Sequence, residues 1–181
     1  MLTSRLLGAG GVGGVTATYL ETRTSGIANT PFNFTNVAVG SSSAPHYCLV
    51  MIEMEGFGAV VAESVTVAGR ACNLLVWELD QKDQVDYMKV FVYITSSEIT
   101  DTTGTVTVNY IAGQDSIAIS TYALSGLESN VAIDTGSKGT TSSFSDTLST
   151  QDGGVLLVYG AGLGDPIYTH CLLYTSPSPR D

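Results

Sequence analysis

Alternation of apolar and polar positions dominates the chain. The clearest case is Thr105–Leu124, TVTVNYIAGQDSIAISTYAL. Val106, Val108 and Tyr110 fall on one side, and Thr105, Thr107 and Asn109 on the other. A period of two marks a half-buried strand. Residues 111–115 have the length of a hairpin loop, so Ser116–Leu124 is expected to return along the first strand. That second strand is apolar on both faces and is expected to be central in its sheet.

The same pattern recurs along the chain. Phe32 and Phe34 share a phase that slips to Val37 and Val39, which predicts a β-bulge. Tyr47–Glu55 is a strand with Cys48, Val50, Ile52 and Met54 on one side, and Glu53 and Glu55 are expected to mark its exit to solvent. Ser64–Ala68 leads into a turn at Gly69, and Ala71–Leu79 carries Trp77. Tyr87–Ile94 is apolar on both faces. Val131–Asp134, Ser143–Leu148 and Val155–Gly160 complete about ten short strands, with no convincing helix. The fold class is therefore all-β: an antiparallel β-sandwich, jelly-roll or Ig-like.

Composition agrees with this pattern. Hydrophobic residues make up 44% of the 181 positions and charged residues 13%, so the chain has the means to bury a core. A net charge of −10 argues against a nucleic-acid partner. No apolar run reaches the roughly 18–20 residues of a membrane helix, and no signal-peptide core is evident, so no membrane partner is expected.

Three domains of unequal standing are expected. Residues 1–29 read as a glycine-rich arm that docks on a neighbouring subunit, and 30–170 as the β domain. Residues 171–181, CLLYTSPSPRD, look like the translation of a transposase-type sequencing-library adapter. All eleven positions agree. That reading implies a metagenomic fragment, truncated near His170, with a sheet edge left unpaired.

Several landmarks arrive in a distinctive order: FNFTNVAVG (Phe32–Gly40), ESVTVAG (Glu63–Gly69), MKVFVYI (Met88–Ile94), GTVTVNY (Gly104–Tyr110), YALSGL (Tyr122–Leu127) and GGVLLVYGAG (Gly153–Gly162). This set resembles a widespread, poorly characterised β-sandwich family. Its members occur among structural and tail-associated proteins of tailed bacteriophages and in some bacterial surface proteins. The resemblance implies a non-enzymatic virion component, made in the host cytoplasm, whose partners are other virion subunits or further copies of itself. It brings no catalytic residue. The alternative is a carbohydrate-binding module on an extracellular surface. Its glycan would meet the loops Gly40–Pro45, Asp80–Asp86 and Thr95–Thr103 at one end of the sandwich.

The candidates for chemistry are few, and no catalytic, cofactor-binding or metal-binding residue is expected. Gly8, Gly10 and Gly13 match G-x-G-x-x-G, but a dinucleotide site needs a strand before it and a helix after it. His46 and His170 are the only histidines, and His46 reads as a surface or strand-start residue. Cys48 and Cys72 read as buried thiols, with a cross-strand disulfide left open. Asp80, Asp83, Asp86, Asp152 and Asp165 lack the spacing of a calcium loop. Glu53 and Glu55 share a face about 6–7 Å apart but have no cleft signal. Tyr19, Tyr47, Tyr87, Tyr93, Tyr110, Tyr122 and Tyr159 could stack on sugars, though strand positions favour packing. Asn33-Phe34-Thr35 is a formal glycosylation sequon without meaning in a bacterial or phage protein.

Overall fold

The computed structural model describes residues 2–9, 15–26, 31–57, 62–81, 86–110, 114–138, 155–160 and 170–175, with side chains at 15–26, 31–56, 62–77, 89–110, 116–127 and 129–131. Twelve strands follow in order: β1 (Leu2–Ala9), β2 (Thr16–Gly26), β3 (Phe32–Ala38), β4 (Tyr47–Phe57), β5 (Ala62–Val67), β6 (Arg70–Gln81), β7 (Asp86–Thr95), β8 (Thr103–Tyr110), β9 (Gln114–Ser125), β10 (Leu127–Lys138), β11 (Val155–Gly160) and β12 (His170–Thr175). The described residues contain no helix, and every strand pair is antiparallel.

An eight-stranded sheet runs β2-β9-β4-β7-β6-β5-β8-β3. It curls until β3 approaches β2 and β9, where side chains of Arg23 and Thr121 bond to the β3 backbone. The enclosed core takes Phe34 and Val37 from β3, Val50 and Ile52 from β4, Val65 and Val67 from β5, Phe91 and Tyr93 from β7, Val106 and Val108 from β8, and Ile117 and Ile119 from β9. A second core covers the opposite face of β4, β7 and β9, with Leu49, Met51, Val90, Val92, Tyr122 and Leu124. The other sheet runs β10-β1-β11-β12 and approaches β6 through β1 and β10.

The burial pattern explains each placement. β8 has one apolar face, and its other face carries polar cross-strand pairs. Thr107 donates to Asn33 Oδ1 at 2.7 Å and Asn109 donates to Ser64 Oγ at 2.9 Å. β4, β7 and β9 are apolar on both faces and lie where both faces are covered. The expected bulge in β3 is present: the register shifts between Phe34 and Val37, and Asn36 has φ 58°. The β5–β6 turn uses Ala68 and Gly69 at φ 49° and 76°.

Three expectations fail. β8 and β9 do not form a hairpin: β8 pairs with β3 and β5, and β9 with β2 and β4. Their different apolar faces send them to different parts of the sheet. The first 29 residues are not a free arm, because β1 lies between β10 and β11, and β2 borders β9. β-Branched Val15, Thr16 and Thr18 suit that strand, whereas Gly10–Gly14 lie outside the described residues. Glu53 does not mark an exit to solvent, because β4 continues to Phe57 and Glu53 is buried. The expected Ser143–Leu148 strand lies outside the described residues. β12 includes Cys171–Thr175 and pairs with β11 as an edge strand. Its CLLYT sequence is rich in strand formers, and a sheet edge accepts any such extended segment.

Candidate functional site

Two of the three loops proposed for ligand contact meet. Val39 N–H donates to Thr102 O at 2.9 Å, and His46 and Ile99 exchange backbone bonds of 3.0 and 2.8 Å. His46 is buried beneath them. Its Nδ1 is 2.7 Å from Ala44 O and its Nε2 is 3.0 Å from Val39 O. The ring thus pins the β3–β4 connection and is not a surface histidine. Gly40 leaves room for it: a Cβ there would meet the imidazole and lie 2.5 Å from Asp101 O. The third loop joins the opposite end of β7, since Asp86 begins the strand and Thr95 ends it. The three loops therefore do not share one end. Ser41, Ser42, Ser43, Ser96 and Ser97 expose hydroxyls on the two joined loops, and neither loop carries a Phe, Tyr or Trp.

The tyrosines do not form a shelf among the described residues. Tyr93, Tyr110 and Tyr122 are buried. Tyr93 donates its hydroxyl proton to Ala62 O at 2.8 Å. Among the described side chains the exposed aromatics are Tyr19 and Trp77. Tyr19 stacks edge-on against Tyr122, and Trp77 lies over Phe91 with centroids 6.5 Å apart. Tyr122 and Phe91 belong to opposite faces of the sheet, so the two platforms point apart.

The acidic and sulfur candidates are also separated. Glu53 lies in the central strand on the face of Leu49 and Met51, which removes it from any open cleft. Glu55 is half-buried. The side chains of Asp80, Asp83, Asp86, Asp152 and Asp165 lie outside those described. Among the described residues no three His, Cys, Asp or Glu side chains converge as a metal site. Gly8–Gly13 is followed by strand β2, so the helix a dinucleotide fingerprint requires is not there.

Cys48 and Cys72 flank Thr95 from β4 and β6, and neither is in a disulfide. Two strand spacings are about 9–10 Å, beyond the Cα separation that a disulfide bridges. Burial pushes the Cys72 thiol up to about 12, partly offset by a hydrogen bond from the Val67 backbone. Cys48 moves further in the same direction through burial, with Cys72 adding to it. Burial and then Cys72 push the Tyr93 phenol up to about 12. These thiols are held protonated, opposite to what a nucleophile needs.

Lys89 is a charged residue that the sequence pattern did not single out. It is fully buried on the side of Phe91 and Tyr93. The available signal was its phase in MKVFVYI, a strand apolar on both faces that leaves a lysine no solvent side.

The remaining feature is β6. Its ladder with β5 consists of Thr66–Ala71 and Val67–Arg70, after which β5 follows β8. Leu74 and Trp77 stand just beyond this split, opposite Tyr93 and Phe91 in the ladder with β7. They are 42% and 47% exposed. Comparison with family models, curated proteins and solved structures finds no match.

Proposed function

We propose that this protein is a non-enzymatic structural component of a phage virion, tail- or capsid-associated, that works by subunit assembly. The observation that supports it best is the exposed Leu74–Trp77 pair where β5 leaves β6. An apolar pair beside a strand edge is a feature of docking surfaces, and Trp is enriched at the centres of interfaces. The ordered motifs from Phe32 to Gly162 support the virion setting. A glycan-binding module has less support, because the two loops that meet carry no aromatic ring for sugar stacking.

Recovery of the gene with its neighbours by long reads tests the setting, followed by mass spectrometry of purified particles. Neighbours encoding portal, capsid or tail proteins, with the chain present in particles, are expected. Neighbours encoding secreted polysaccharide-degrading enzymes would overturn the proposal in favour of glycan binding.

A further inference from the structure

His46 lies where the β3–β4 connection meets the β7–β8 connection, and it is 2% exposed. Both of its ring nitrogens face backbone carbonyls: Nδ1 is 2.7 Å from Ala44 O and Nε2 is 3.0 Å from Val39 O. A carbonyl oxygen only accepts, so each nitrogen must bring a proton to make its bond. A neutral imidazole has one N–H and would turn a lone pair towards the other carbonyl. The imidazolium has two and satisfies both. The 2.7 Å separation falls in the range of charge-assisted bonds. Turning the ring over offers no alternative, since it would put carbons at both carbonyls. Gly40, where the imidazole fills the place of a Cβ, holds the ring in this position.

We propose that His46 is a doubly protonated clasp joining the two connections, and that the join loosens when the ring gives one proton to water. A buried charge needs polar partners, and the two carbonyls supply them. The titratable groups on the surrounding elements are Glu98 and Asp101, exposed on the β7–β8 connection, Glu21 of β2, which binds the Ala38 N–H and Arg23, and Cys48 of β4, a buried thiol held neutral. Neither connection carries a Lys or Arg. The fixed charge on the connections is therefore negative, which suits an imidazolium. With one proton gone, a buried carbonyl loses its donor. The join is therefore complete in acid and weakens as pH rises.

The test uses the isotope-labelled full chain, in which His170 is the other histidine. Ring N–H signals and amide protection factors are followed together by NMR from about pH 5 to about pH 9, around the ordinary histidine range. At the acid end His46 is expected to show a proton on each ring nitrogen. As one is lost, protection of the Val39 and Ile99 amides, which bond to Thr102 O and His46 O, is expected to fall about tenfold, the equivalent of one lost hydrogen bond. Amides of the β4–β7 ladder are expected to keep theirs. In His46→Gln, which cannot gain a charge, protection of Val39 and Ile99 is expected to be low in acid and level with pH. If that variant does not fold, the native titration decides alone. A ring with one N–H throughout overturns the proposal, as does a ring that keeps both protons until the whole fold melts. Protection that stays level as the second proton leaves also overturns it, as does a glutamine variant with the native pH dependence.

Discussion

Two glycines and two thiols carry predictions at the scale of single residues. Gly40 faces His46 and the Asp101 carbonyl, and a Cβ at Gly104 would lie 2.8 Å from Ala68 Cβ. Gly104→Ala and Gly40→Ala are each expected to lose about 1–3 kcal/mol, the range for overpacking a filled site. Gly40→Ala should lose more, because its obstacles are nearer, the Asp101 carbonyl at 2.5 Å among them. Urea midpoints check this, and unchanged midpoints would contradict the close approach. The thiols give a pH dependence with a definite sign. The folded-state value of Cys72 is about 12, against an ordinary 9.0. The unfolded chain therefore loses that proton first as pH rises. Stability is complete below about pH 9 and falls towards pH 12, by about 1.4 kcal/mol per pH unit for each such group. Replacing Cys72 by Ala should make the fall shallower by that amount. An unaltered slope would show that the Cys72 thiol ionises in the folded protein as it does when exposed.

At the scale of elements, alternation made most strands legible. β3, β4, β6, β7 and β11 lie within a few residues of their expected bounds, and the Phe34–Val37 bulge was readable from a phase slip. Pairing was not legible. TVTVNY and SIAISTYAL are adjacent in sequence but belong to different neighbourhoods, because one-sided and two-sided strands need different cover. Local spacing contains no such information. Glu53 misled for a related reason: a charged residue in a short alternating run reads as a strand end, and only the assembled sheet shows that both faces are covered. Of the candidate surface, Trp77 was visible as a strand residue, but its exposure depends on where β5 departs from β6. The β5–β6 turn offers a direct check on local conformation. Ala68 at φ 49° sits in the left-handed region, which costs a residue with a Cβ about 1–2 kcal/mol. Ala68→Gly removes that strain at an entropic cost of about 0.5–1 kcal/mol. A net gain of up to about 1 kcal/mol is expected in thermal melts, and a clear loss would contradict the turn geometry.

For the whole molecule, a sheet that curls on itself leaves two strand edges to account for: the β5–β6 split with Leu74 and Trp77, and the β2–β3 seam. The first is apolar and exposed in the intact protein, and the second is sealed by side chains. The proposed assembly of the unaltered chain would therefore use the first. Sedimentation velocity of the full chain over a wide concentration range, alongside Trp77→Ser, tests this most directly. The native chain is expected to self-associate as concentration rises, while Trp77→Ser remains monomeric with its fold intact by circular dichroism. A native chain that stays monomeric throughout, or a Trp77→Ser variant that associates as strongly, would contradict assembly through β6.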